Sequence, residues 1–164
     1  MAELGLGIHG EPGVETVPFE SAGQICNILL SALFDVTEAS QQMVLLLNNL
    51  GSTTPLEMQA IMNVIASSDY APRIAGVIGP GLLMTSLDMH GFSLSTLPAD
   101  AAYLDALKAD CEPSSWPACS AMTPIAVQAL PDGLSQARYT ASANAAMHAS
   151  VSYTHLTLPT ILLV

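Results

Sequence analysis

This sequence predicts an α/β fold, a mixed sheet with flanking helices followed by an unstructured linker. Three observations carry that prediction. From Glu3 to about Ala109 strand and helix signals alternate, the order that layers helices on a sheet. Met43 to Leu47 is an unbroken apolar run, the mark of a strand covered on both sides. Ser21 and Thr54 each stand three positions before a Gln or Glu, the signature of a capped helix start.

The elements follow in order. Leu4, Leu6 and Ile8 alternate with Glu3, Gly5 and Gly7, a period of two for a short strand. Gly10-Glu11-Pro12-Gly13 then breaks the chain into a loop. The helix after Ser21 sets Ile25, Ile28, Leu29, Ala32 and Leu33 on one face. After the Met43–Leu47 strand, Asn48 and Asn49 suit a side-chain-stabilised turn running through Leu50, Gly51 and Ser52. Thr54-Pro55-Leu56-Glu57 supplies an N-cap, a proline at the first helical position and a glutamate at the third. The helix it starts turns Met58, Ile61, Met62 and Ile65 to the core, so its methionines are packing. Arg73–Ile78 and Phe92–Leu97 read as strands and Pro98–Lys108 as a short helix. The connection from Ile78 to Phe92 is too short for a helical crossover, which makes the sheet mixed.

Composition narrows the function. Among 164 residues, 51% are hydrophobic and 10% charged, against about 25% charged in a typical domain. The net charge of −11 therefore sits on a chain with enough apolar residues to fold. Only Arg73, Lys108 and Arg138 are basic, too few for the cationic surface that nucleic acid requires. No stretch approaches the roughly 18 consecutive apolar residues of a membrane span; the densest, Ile25 to Phe34, is interrupted by Asn27 and Ser31. The Met-Ala-Glu start lacks a basic leader, which makes the cytoplasm the expected compartment. Cys26, Cys111 and Cys119 are odd in number and not in CxxC spacing, which speaks against a disulfide framework or a zinc site.

Three segments carry chemistry: Gly5-Leu6-Gly7-Ile8-His9-Gly10-Glu11-Pro12-Gly13, Leu46-Leu47-Asn48-Asn49-Leu50-Gly51, and Met84-Thr85-Ser86-Leu87-Asp88-Met89-His90-Gly91-Phe92-Ser93. By residue type alone, a histidine among glycines reads first as the end of a strand. In this order and spacing, however, the three segments together resemble the later part of the substrate-binding domain of dihydroxyacetone kinases, over roughly Glu3 to Leu107. The resemblance implies that His9 forms a covalent hemiaminal with the carbonyl carbon of dihydroxyacetone or a similar short ketose or aldehyde. A neutral imidazole nitrogen is a competent nucleophile near neutral pH, and covalent capture holds a small triose in one orientation. Gly7, Gly10 and Gly13 would leave room for close backbone approach, and Glu11 lies near enough in sequence to orient a ring or a hydroxyl. Asp88 reads as a carboxylate satisfying local backbone donors, and His90 as structural or exposed.

The departures from the family pattern matter equally. The earlier part of that domain, with a glycine-rich loop, a second histidine and an aspartate acting on the substrate hydroxyl, has no counterpart here. The expected unit is thus an incomplete domain, 1–109, the later subdomain of the dihydroxyacetone-binding domain. Residues 110–150 are expected to lead as a linker toward a missing nucleotide-binding domain. Their first part is rich in Pro, Ser and Ala, and Gly133–Ser150 is an Ala-rich segment able to start a helix. The resemblance places ATP and Mg²⁺ on that missing domain and none on this chain, and it leaves a homodimer open. It points to a fragment of an ATP-dependent dihydroxyacetone kinase, inactive by itself. Two other readings stand beside it, a partner-dependent binding subunit of a phosphotransfer-coupled kinase and a degenerate, non-catalytic homologue. Residues 151–164 resemble one reading frame of a sequencing-transposon adapter, so genuine coding sequence is expected to give way to library DNA near Ser150, and Tyr153 and His155 carry no functional weight.

Overall fold

The computed structural model describes residues 1–7, 11–86, 89–111 and 113–122. His9, Gly10, Asp88, the Ala-rich segment and the tail lie outside the described residues.

The chain opens with a hairpin, β1 (Ala2–Leu4) against β2 (Glu15–Val17), paired antiparallel. The alternation at Leu4–Ile8 places a strand slightly too late: the ladder ends at Leu4, and Gly5 turns the chain away at φ +72°. β2 has no sequence signal of its own, because three residues are too few to show a period and only pairing with β1 defines them.

α1 (Ala22–Phe34) starts where expected. The Ser21 hydroxyl accepts the Gln24 N–H, while the Gln24 amide oxygen accepts the N–H of Glu20 instead of that of Ser21. Its buried stripe is Ile25, Cys26, Leu30 and Phe34. Ile28, Leu29 and Leu33 are only half-buried and Ala32 is exposed. The buried face is therefore rotated from the expected one, because α1 packs sideways onto α2 (Pro55–Ala66) as well as onto the sheet. Burial pushes the Cys26 thiol up to about 11, as befits an unreactive packing residue.

β3 (Met43–Asn49) is the centre of a three-stranded sheet, flanked by β4 (Ile74–Gly81) and β5 (Phe92–Pro98). β3 and β4 are parallel, joined through α2, and β5 returns antiparallel to β3. The mixed sheet expected from the short Ile78–Phe92 connection is thus present. Leu45 and Leu47 are fully buried, as are Met58, Ile61 and Ile65 of α2 and Ile25, Leu30 and Phe34 of α1. The α2 cap is complete: the Thr54 hydroxyl accepts the Glu57 N–H, and the Glu57 carboxylate accepts the Thr54 N–H.

Arg73 does not begin β4. It ends a short 3₁₀ turn, Ala71–Arg73, and its guanidinium reaches the C-terminus of α1. There it donates to the carbonyl oxygens of Phe34 (3.3 Å) and Glu38 (2.8 Å) and to the Thr37 hydroxyl (2.6 Å), over the Phe34 ring. A cation at this end of a helix meets otherwise unpaired carbonyls and the negative end of the dipole. α3 (Ala101–Lys108) follows β5 with Asp100 as its N-cap, so it starts three residues later than the Pro98 expected. Of the linker residues, Ser120 is bridged to Val77 on the outer edge of β4, and no helix or longer strand forms among the described ones.

Candidate functional site

The loop that carries His9 is closed at its neck by the hairpin. Val14 N–H donates to the Leu4 carbonyl (2.8 Å), Gly7 N–H to the Glu11 carbonyl (3.1 Å), and Gly13 N–H to the Glu3 carboxylate (2.7 Å). Two of the expected glycines are required by space. A Cβ on Gly7 would overlap the Glu11 side chain, and one on Gly13 would meet the Glu3 side chain and stand 2.8 Å from the Leu4 carbonyl oxygen. Gly7, Glu11 and Gly13 thus shape the loop, with Glu11 folded back over Gly7. We expect Gly13→Ala to open the neck, because the Leu4 backbone cannot retreat without unpairing β1 from β2. Amide hydrogen exchange should show it as lost protection at Val14 with the amides of β3 unchanged.

The other two motifs grip each other at the end of β3. Asn48, buried, donates its amide to the Met84 carbonyl (2.8 Å) and the Ser93 hydroxyl (3.2 Å), and its amide oxygen accepts from Leu83 N–H (3.0 Å) and Met84 N–H (2.9 Å). Asn49 holds the turn itself, donating to the Thr53 carbonyl and accepting from Gly51 N–H. The turn and the loop before β5 are then laced together: Ser86 N–H to Leu50 O, Leu50 N–H and the Thr53 hydroxyl to Gly91 O, and Ser52 N–H to Met89 O. The turn role expected of the asparagines holds for Asn49, whereas Asn48 reaches across to a different loop.

His90 is part of this lacing. Its Nε2 is 3.3 Å from Glu57 Oε2, the oxygen that also accepts the Thr54 N–H and hydroxyl. Burial pushes the Glu57 carboxyl up, but the two Thr54 hydrogen bonds and His90 pull it further the other way, leaving it below the ordinary carboxylate range. A carboxyl lowered on folding stabilises the fold above its unfolded value, 4.5, and that contribution is lost as pH falls through the folded value. Glu57→Gln should therefore lower stability at neutral pH by about 1 kcal/mol, the scale of a lost cap. It should also flatten the acid limb of the urea-midpoint-versus-pH curve.

All three motifs meet at one cavity of about 330 Å³. The first contributes Gly5 and Leu6, the second Leu50, and the third Met84, Phe92 and Ser93, with Ile25 and Leu29 of α1 and residues of β1 completing the wall. The lining is mostly apolar, with Glu3, Ser93 and Ser95 as its polar residues. Gly7, Glu11 and Gly13 stand in the adjoining loop and not in the wall. Sequence reasoning missed Leu50, Met84, Ser93 and the β1 residues as lining. The motif segments contained most of them, but only the crossing of β5 and the hairpin brings them together. Among the described residues no group of three or more His, Cys, Asp or Glu side chains is placed to hold a metal ion. No helix among them is long and apolar enough to cross a membrane.

Comparison with known proteins follows the same segments. Residues 1–115 match the family model described as the Dak1 domain. The chain is 38% identical over 116 residues to dihydroxyacetone kinase of Citrobacter freundii, covering 71% of this chain and 21% of that protein. It is 32% identical over 130 residues to triokinase/FMN cyclase of Homo sapiens, covering 74% and 22%. Among solved structures, the C. freundii dihydroxyacetone kinase in complex with AMP-PNP and Mg²⁺ superposes with a TM-score of 0.74 at 33% identity, covering 88% of this chain and 27% of the other. A Lactococcus lactis structure described under regulation of the DHA operon gives 0.60 at 32% identity, covering 71% and 38%. The chain spans about a fifth of the length of the curated relatives it matches.

Proposed function

Because the chain belongs to the Dak1 domain family, we propose that it carries part of the triose-binding site of an ATP-dependent dihydroxyacetone kinase, with His9 as the residue that captures the substrate. The observation that supports this reading is the convergence of the described parts of the three motif segments on one cavity, to which the segment preceding His9 in sequence contributes Gly5 and Leu6. Capture is an addition. The lone pair of one imidazole nitrogen forms the N–C bond, the carbonyl π pair moves to oxygen, and the proton released from the other ring nitrogen ends on that oxygen. Nothing is lost or oxidised, so the step needs no co-reactant, and polyols such as glycerol are refused because they have no carbonyl to attack. The backbone is closely packed at Gly7 and Gly13 on either side of His9 in sequence, and the clasp at Asn48 bonds Met84 and Ser93 of the cavity wall.

Transfer of the phosphoryl group to the captured triose lies outside what these residues do. It calls for a nucleotide, Mg²⁺ and a base at the acceptor hydroxyl, and the described residues supply no cluster fit for the metal. As the family resemblance implies, we assign ATP and Mg²⁺ to other parts of a longer protein and propose that this chain binds without phosphorylating.

The test is intact-mass spectrometry of the 164-residue chain after incubation with dihydroxyacetone. One added triose is expected, reversible on dilution and absent with glycerol. An unchanged mass at saturating triose, with the fold intact by circular dichroism, would remove the capture reading and leave a non-catalytic homologue.

A further inference from the structure

The cavity where the motif segments meet is larger and more apolar than a triose needs. Its volume is about 330 Å³, whereas an apolar cavity of about 150 Å³ already holds benzene, and dihydroxyacetone has no more heavy atoms than benzene. The wall is built mainly from Leu6, Leu29, Leu50, Met84, Phe92 and Leu94, of which Leu50 and Phe92 are buried. Hydroxyls and a carbonyl cover most of a triose, so it offers these side chains little apolar surface in return. The polar lining is Glu3, Ser93 and Ser95, and part of it is already engaged. The Glu3 carboxylate accepts the Gly13 N–H (2.7 Å), and the Ser93 hydroxyl accepts from the Asn48 amide (3.2 Å). Among the described lining residues there is no Lys, Arg or His to neutralise a phosphate or carboxylate on a ligand.

We propose that this cavity takes uncharged α-hydroxyketones whose second substituent is an alkyl chain, in preference to trioses. The inference rests on the capture reading: His9 adds to the carbonyl, the chain lies against the apolar wall, and the few polar lining residues serve the hydroxyl. At the volume per heavy atom of the benzene cavity, the space holds about a dozen heavy atoms, enough for several methylenes beyond the carbonyl. Each methylene that passes fully from water to the wall gains about fourfold in affinity. Size and apolarity thus set the preference, while the carbonyl remains the condition for capture.

The test titrates the full chain with dihydroxyacetone, then with hydroxyacetone and its ethyl, propyl and butyl homologues, which share one carbonyl and one hydroxyl and differ only in methylenes. Addition loses no atom, so intact mass rises by the mass of the ketone. Apparent affinity is expected to rise at least about twofold per methylene, and the butyl homologue should bind more tightly than dihydroxyacetone. Two wall variants locate the effect: Leu29→Ser, half-buried on α1, and Ser95→Asp, exposed on β5. Each should cut the gain below about twofold per methylene and leave capture of hydroxyacetone in place. The exposed position lets Ser95→Asp carry the test if Leu29→Ser does not fold. Hydroxyacetone captured with no gain along the series would overturn this inference and leave the capture reading standing. A gain that survives in the folded variants would put the chain elsewhere and overturn it too. No adduct with any of the ketones would remove the capture reading, and this inference with it.

Discussion

Replacing His9 by alanine should abolish the dihydroxyacetone adduct, with a loss of more than about tenfold in apparent affinity, or about 1.4 kcal/mol. A triose of three carbons has little apolar surface to bury, so without the covalent bond its hydroxyls compete with water for the same donors and acceptors. Intact mass and calorimetry would both report the loss, and His90→Ala supplies the comparison. His90 is spent on Glu57, so its removal should leave the adduct in place. The attacking ring must be neutral, so adduct yield in the native chain should fall as acid protonates imidazole. A yield independent of pH, or retained in His9→Ala, would assign capture to another group.

Replacing Asn48 by alanine should be the more damaging change to the fold. The side chain is 2% exposed and makes four hydrogen bonds to three residues on two segments. Truncation leaves the Leu83 and Met84 N–H groups without their acceptor and the Met84 carbonyl without its donor. A fully buried polar group left unpaired costs on the order of 1–3 kcal/mol; these three groups are part-buried, so a total loss of about 3 kcal/mol is expected. It should show as a lower urea midpoint with an unchanged slope. Asn48→Asp keeps the acceptor toward Leu83 and Met84 but turns an oxygen toward the Met84 carbonyl, so it should not rescue. A loss below about 1 kcal/mol would mean that water replaces the side chain and that the clasp is looser than its distances indicate.

The two sites differ in how they could be found. His9 stands out only through the three motif segments taken together, since one histidine among glycines is also what a strand end looks like. Asn48 was visible as a turn former, yet its partners are 35 to 45 residues away, and no local pattern names them. Glu57 was legible as a helix-start residue because its partner Thr54 is three residues away, whereas its contact with His90 was not.

By itself the sequence determined the elements whose signals are local. The starts of α1 and α2 follow from Ser21 and Thr54, which satisfy N–H groups within one turn. β3 follows from an apolar run that only a two-sided cover can hide, and the mixed sheet follows from a connection too short to cross over. The tertiary structure decided what depends on a distant partner: which stripe of α1 is buried, the pairing that makes β2 a strand, Arg73 at the end of α1, and Ser120 on the edge of β4. Those contacts close long loops, and their free energy comes from groups that meet only after the chain has folded. Local composition fixes where an element begins, but burial and pairing are properties of its neighbours in space.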